Sequence, residues 1–448
     1  MDKLKEGQVV CTDKDVSVMV KKELGSGGQG TVYLVDYNGK DMALKWFKKS
    51  TISNGKKFYD NLQNNIKNPS PGEGFLWPKD LTQYDPKDKD ASFGYIMDLK
   101  PDSYDDFSKY LLGKKNFSSI EALINAGLNI TECFMLLHRA GYNYQDLNDG
   151  NFFINFDTGN VLICDNDNVM GHGYNSGVMG KPRYMAPEVV VGKKPPDKQT
   201  DRYSLSVILF LLFFANHPLE GKASLLDLTT EEDEFNIYGK NPIFIMDPKN
   251  FSNRPDPTIH KNVARKWGAY PEYFRQAFID EFSQDKLLMK ANRRLESEWL
   301  DILIKLRTDL IPCSCGRELF VDYNGNGVCS CGNKLKVPLI LEINNIKVPV
   351  YPGVKLYKYH TSDASEDYRT VTGEVVRAKN NPKQLGLHNK SGTAWYLKYE
   401  GMDQRSLEDK KVARIVTNLE VDFGSGRKGK FIKQGENYGW FFTQWRNT

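Results

Sequence analysis

The chain has 448 residues, enough for two or three domains of ordinary size. Apolar residues make up 40% and charged residues 26%, which excludes wholesale disorder and a collagen-like repeat. The net charge of +4 conceals an asymmetry: residues 1–312 carry 40 Lys+Arg against 43 Asp+Glu, whereas residues 313–448 carry 21 against 14.

The first residues are charged from Asp2 onward and lack the apolar core of a secretory signal, and the seven cysteines are an odd number. Both features predict a reducing, cytoplasmic setting without a disulfide framework. Strand-like runs occupy 15–24, 31–37, 41–47 and 93–99, separated by turn signals such as Asn38-Gly39, with one helix-like segment at 56–66. From Ser118 the pattern becomes helical: apolar residues recur at three and four in 120–141, 205–214, 273–282 and 299–306. The apolar run 205–215 is shorter than the roughly 18 residues of a membrane span, so a buried core helix and no membrane association are predicted. After Leu310 a cysteine cluster leads into further β-rich stretches at 338–351, 394–399 and 413–424.

Motifs that carry chemistry follow in order. Gly25, Gly27 and Gly30 lie between two strands, where missing side chains let backbone N–H groups approach phosphates. Lys45 sits on a later strand, placed to reach α and β phosphates. Asp146, Asn148 and Asn151 follow the helix ending at Arg139, and the apolar run 161–164 delivers Asp165. The segments 180–188 and 201–205 complete the set.

This ordered set, over about residues 22–306, resembles the protein kinases, in particular bacterial eukaryotic-like (Hanks-type) kinases. The resemblance implies an α+β, bilobal protein-kinase fold with a small β lobe (1–99) and a large α lobe (100–311). It implies ATP and Mg²⁺ (or Mn²⁺) as cofactors and a protein hydroxyl, serine or threonine, as acceptor; Asn148 removes the usual discriminator, so tyrosine stays open. Gly25, Gly27 and Gly30 would cover the phosphates, and Lys45 would orient them. Val32, Ala43, Met97, Asp98 and Lys100 would contact the nucleotide, with Met97 as gatekeeper. Asp146 would act on the substrate hydroxyl, and Asn151 and Asp165 would hold the metal ions. Glu188 would pair with Arg293 rather than Arg294, and Asp201 would be structural.

Several positions depart from the pattern. No glutamate occurs in 56–68 to pair with Lys45, which leaves Asp60, Asn61 or no partner. Tyr144-Gln145 replaces the usual His-Arg, so control through an arginine and a phosphorylated activation loop is not expected. Asp165-Asn166-Asp167 replaces Asp-Phe-Gly; Asp167 adds an acidic group at the metals or caps a turn. Asn148 stands where a lysine usually faces the γ-phosphate, and Lys181 either supplies that charge as a catalytic residue or is a surface lysine. Tyr174 and Ser176 are candidate self-phosphorylation sites. The segments 236–242 and 252–255 resemble bacterial kinases encoded beside a metal-dependent protein phosphatase and a von Willebrand A-type protein, which makes those two proteins candidate partners.

Cys313, Cys315, Cys329 and Cys331 form two Cys-x-Cys-Gly knuckles. Four thiolates with no open position suit a structural Zn²⁺ ahead of an iron–sulfur cluster or free thiols, and the segment 312–338 resembles a zinc ribbon. Cys11, Cys133 and Cys164 are expected in the core. Residues 339–448 resemble a forkhead-associated β-sandwich without its phosphopeptide-binding residues. Its basic excess suits an acidic partner or a solvated surface; nucleic acid is not the expected ligand. Two main readings follow, an ATP- and Mg²⁺-dependent protein kinase or a nucleotide-binding pseudokinase scaffold acting through its C-terminal domains, with a basic zinc-ribbon nucleic-acid binder as a third.

Overall fold

A computed structural model describes residues 3–51, 55–88, 91–171, 180–226, 230–289, 291–321, 327–363, 366–378 and 380–434. The chain forms two compact units, Met1–Asp301 and Ile302–Thr448, divided inside the helix Glu296–Thr308.

The first unit begins with six antiparallel strands: β1 (Val9–Cys11), β2 (Ser17–Ser26), β3 (Gly30–Tyr37), β4 (Lys40–Phe47), β5 (Asp80–Leu81) and β6 (Gly94–Met97). Their order across the sheet is β1-β2-β3-β4-β6-β5. Asn38 and Gly39, with φ of 54° and 77°, make the two-residue turn between β3 and β4, the backbone geometry that matches strand twist. Register then places Lys45 opposite Val32 and Ala43 opposite Met97. Helix α1 (Gly55–Lys67) lays Tyr59 and Leu62 on one face of this sheet, among Phe47, Phe93 and Tyr95. Cys11, expected in the core, is exposed, because it ends an edge strand. Cys133 and Cys164 are buried as expected.

Helices dominate the rest of this unit. Ile120–Arg139 starts at Ser119, whose side chain accepts the Ala122 N–H. Its length and hydropathy would suit a membrane span, but 72% of its apolar window is buried within the protein, as in a core helix. Lys198–Phe214 starts at a reciprocal cap between Asp197 and Thr200, and every residue from Tyr203 to Phe214 is buried. Between these helices the antiparallel pair Phe152–Ile154 and Val161–Ile163 carries the chain from Asn151 to Asp165.

In the second unit, two short hairpins, Leu310–Pro312 with Glu318–Phe320 and Gly327–Val328 with Lys334–Leu335, flank the cysteine pairs. Two antiparallel sheets of six and four strands follow. Leu341, Leu387, Trp395 and Phe431 from these sheets share one core with Cys313 and Cys329. The cysteine segment and the β-rich region, separate in the sequence reading, are thus one packed body.

Candidate active site

The β2–β3 loop, strand β4, the segment after Arg139 and the residues after Ile163 converge on a cavity of about 650 Å³. Gly25, Gly27, Gly30, Val32, Ala43, Lys45, Met97, Asp98 and Lys100 line it, together with Asp146, Asn148, Asp165 and Lys181. A Cβ built on Gly25, Gly27 or Gly28 would meet no atom within 4 Å beyond its own chain neighbours, so these positions leave open space at the cavity mouth. Gly30 is required for a different reason: its Cβ would stand 2.3 Å from the Trp46 carbonyl oxygen.

Lys45 is almost fully buried. Its Nζ lies 2.8 Å from Asp167 Oδ1, 3.0 Å from Asp165 Oδ1 and 3.3 Å from Gln29 Oε1. Burial disfavours the ammonium, but the Asp167 and Asp165 carboxylates outweigh it and hold Lys45 above its ordinary pKa. Neither helix residue expected as its partner serves. Asp60 pairs with Lys56 one turn away on the exposed face, and Asn61 donates to the Val169 carbonyl. The partner is Asp167, with 0% side-chain exposure, which also accepts the Tyr95 hydroxyl at 3.0 Å. Burial and the Asp167 charge push the Tyr95 phenol well up, so it stays a neutral donor. The sequence signal for Asp167 was an extra carboxylate in a chain lacking the helix glutamate.

The Asp201 carboxylate fixes the segment before Asp146. It accepts the backbone N–H groups of Tyr144 at 2.6 Å and Gln145 at 3.2 Å. His138 stands 3.1 Å from Asp201 and 2.8 Å from Glu296, which Arg202 also grips. Burial lowers the His138 pKa, but these two carboxylates raise it more. A histidine without ligand spacing thus props the segment before Asp146, which the sequence did not reveal. Gln145 and Asp165 both adopt positive φ, 68° and 56°, an uncommon conformation held by this packing.

Burial pushes the Asp146 carboxyl up to about 6; the Lys181 charge opposes that rise and the Asp165 charge adds to it. Asn148 connects the two, donating to Asp146 Oδ1 at 3.4 Å and accepting from Lys181 Nζ at 3.1 Å. Asn151 is buried, and its Oδ1 accepts the Asn148 N–H at 2.7 Å, which leaves one lone pair for a metal. Asp165 presents a 40% exposed carboxylate beside the cavity. Tyr174 and Ser176 lie outside the described residues.

The four cysteine sulfurs of the second unit lie within 4.8 Å of one another, with Cys313–Cys331 and Cys315–Cys329 at 3.7 Å. A tetrahedral zinc with Zn–S of about 2.3 Å has S···S edges of about 3.8 Å, so the four thiols fit that ion. Gly316 and Gly332 adopt φ of 85° and 90°, turning each knuckle back, and their N–H groups bond the Cys313 and Cys329 carbonyls.

With this geometry goes a match of residues 18–265 to the protein kinase domain family, and the chain belongs to that family. It is 25% identical over 302 residues to the dual specificity protein kinase shkB of Dictyostelium discoideum, covering 61% of this chain and 40% of that protein. It is 26% identical over 225 residues to protein kinase C delta type of Mus musculus, covering 49% and 32% respectively. The chain therefore spans less than half the length of these curated relatives. Among solved structures, the Mycobacterium tuberculosis PknI kinase domain aligns with a TM-score of 0.43 at 17% identity, over 67% of this chain and 98% of that one.

Proposed function

We propose that this chain is an ATP- and Mg²⁺-dependent protein kinase acting on serine or threonine hydroxyls. The observation that carries the reading is the convergence of Lys45, Asp146, Asp165 and Lys181 on one glycine-roofed cavity. Open space beside Gly25, Gly27 and Gly28 and the free carboxylate face of Asp165 suit a nucleotide with its metal. Bound Mg²⁺ would supply charge neutralisation at the transferring phosphoryl group.

The chain's own residues divide the remaining work. Lys45 holds a full positive charge against the cavity wall and orients the phosphates. Asp146, raised toward neutrality by burial, takes or orients the acceptor proton. Lys181, tied to Asn148, places a cation beside Asp146 where the family pattern has a lysine two residues after the catalytic aspartate. At an effective dielectric of about 20, such a charge about 4 Å from a phosphoryl oxygen contributes up to several kcal/mol.

In the second unit the four cysteines hold a structural zinc, and the two sheets form a forkhead-associated-like sandwich that engages protein partners. The phosphatase and von Willebrand A-type partners rest on the resemblance of segments 236–242 and 252–255 alone.

The test is phosphate transfer from γ-labelled ATP to a general acceptor protein, followed by identification of the phosphorylated residue. Label in the wild type that disappears in Asp146→Ala and Asp165→Ala supports the enzyme. Nucleotide that stabilises the fold without any transfer supports the pseudokinase scaffold instead.

A further inference from the structure

We propose that Asp167 is the positioning residue for Lys45, so that the nucleotide-orienting lysine is fixed by the loop that carries Asp165 and not by helix α1. The inference rests on the kinase reading above and names how that site is controlled.

Three sets of contacts carry it. First, the lysine's partners: Asp165 and Asp167, on either side of Asn166, both bond Lys45 Nζ, at 3.0 and 2.8 Å. Because Asp165 is also the candidate metal ligand, Asp167, whose Oδ1 is shared only with the neutral Tyr95 hydroxyl among the described residues, is the carboxylate left to hold Lys45. Second, the loop is itself immobilised by buried polar bonds. Asn166 Nδ2 donates to the Leu76 and Ile163 carbonyls, each at 2.9 Å, and Tyr95 holds Asp167 Oδ1 from strand β6. Third, helix α1 touches this assembly through amides. Asn61 and Asn65 donate to the Val169 carbonyl at 3.1 and 3.0 Å, while Asp60 faces solvent beside Lys56. The helix supports the loop, and the loop holds the lysine.

A charge-assisted bond between buried groups is stronger than an amide–carbonyl bond, and its short reach fixes direction. Lys45 is therefore held to the same three-residue segment, Asp165-Asn166-Asp167, that carries the candidate metal ligand. Moving α1 outward would cost the loop two amide bonds but would leave the lysine its carboxylate. Withdrawal of that helix therefore does not by itself strip the lysine of its carboxylate, as it would if the helix carried the partner.

The experiment uses the full chain and a fluorescent ATP analogue, with and without Mg²⁺, alongside KM for ATP and kcat where transfer is detected. Asp167→Asn, which removes the charge but keeps the shape, is expected to weaken nucleotide binding about tenfold or more with or without Mg²⁺, the loss of one charge-assisted bond. KM for ATP should rise more than kcat falls. Asp60→Ala should bind as the wild type does. Adding Asn61→Glu to Asp167→Asn, which returns a carboxylate to the helix, should recover part of the affinity. The proposal is overturned if Asp167→Asn binds normally, if its defect appears only with Mg²⁺ and vanishes at high Mg²⁺, or if Asp60→Ala shows the same loss. Should Asp167→Asn fail to fold, Tyr95→Phe strips the second bond from Asp167 Oδ1 without altering charge. That variant must then weaken the analogue severalfold, and unchanged affinity overturns the proposal. Because the binding measurement needs no phosphate transfer, an inactive wild type would refute the kinase reading and leave this one decided.

Discussion

Arg293 clasps Glu188 through two parallel hydrogen bonds of 2.7 Å, and both side chains are buried. The same guanidinium donates to the Gln199 carbonyl at 3.0 Å and lies over the Tyr203 ring. The pair joins the segment after Pro187 to the N-terminal turn of helix Lys198–Phe214, directly beside Asp201.

Arg293→Ala therefore strands a buried carboxylate and is expected to destabilise the first unit by about 3–5 kcal/mol. Arg293→Lys keeps the charge but loses the planar fork, so it should fall between the two. Urea unfolding followed by tryptophan fluorescence measures both. Stability of Arg293→Ala within about 0.5 kcal/mol of wild type, the usual range for surface changes, would show that the pair is dispensable.

The burial of Lys45 and Asp167 gives a second stability prediction. Removing a charged side chain from this pair leaves its partner in a dry site, so Lys45→Met should destabilise by about 3–5 kcal/mol. The double variant Lys45→Met/Asp167→Leu removes both charges and should regain much of that loss. A calorimetric scan of wild type, both single variants and the double variant closes the cycle. Additive losses would show that the two groups are not coupled.

These two pairs mark what the sequence can and cannot disclose. Arg293 and Glu188 were legible, because the kinase resemblance implies that pair. So were the strands and helices whose apolar period is strong, such as 31–37 and 205–214. Lys45's partner was not legible: Asp60, Asn61 and Asp167 all lie within the motif region, and only the fold decides which of them turns inward. Asp60 falls on the solvent face of an amphipathic helix, whereas Asp167 follows a left-handed Asp165 that swings the next residues into the core. His138 escaped for a similar reason, since its two carboxylate partners come from Asp201 and Glu296, far apart in the chain. The division within helix Glu296–Thr308 also left no trace in composition, because the helical period continues across it.

The cysteine centre predicts one bound zinc per chain by elemental analysis. Cys313 and Cys329 sit in the same core as Trp395 and Phe431, so removing the metal should affect more than the knuckles. A strong chelator, or Cys329→Ser, is expected to lower the melting temperature of the second unit and leave nucleotide affinity of the first unchanged. Absence of zinc from protein purified under reducing conditions would refute the assignment.

Asp146 has a carboxyl pushed up to about 6 in the folded chain, against 3.8 ordinarily. The folded state therefore holds the proton more tightly than the unfolded one. Between those values the folded protein binds more protons, so ionising Asp146 costs stability as pH rises from about 4 through about 6. Activity runs the other way, since only the carboxylate can accept the acceptor proton. kcat/KM should fall on the acid side with an apparent pKa near 6. Lys181 opposes the rise of Asp146, so Lys181→Met should move that limb to higher pH, while Lys181→Arg should leave it nearly in place. A structural surface lysine would lower activity at every pH or at none. An acid limb unmoved in Lys181→Met would therefore separate Lys181 from the Asp146 carboxylate and refute its electrostatic role.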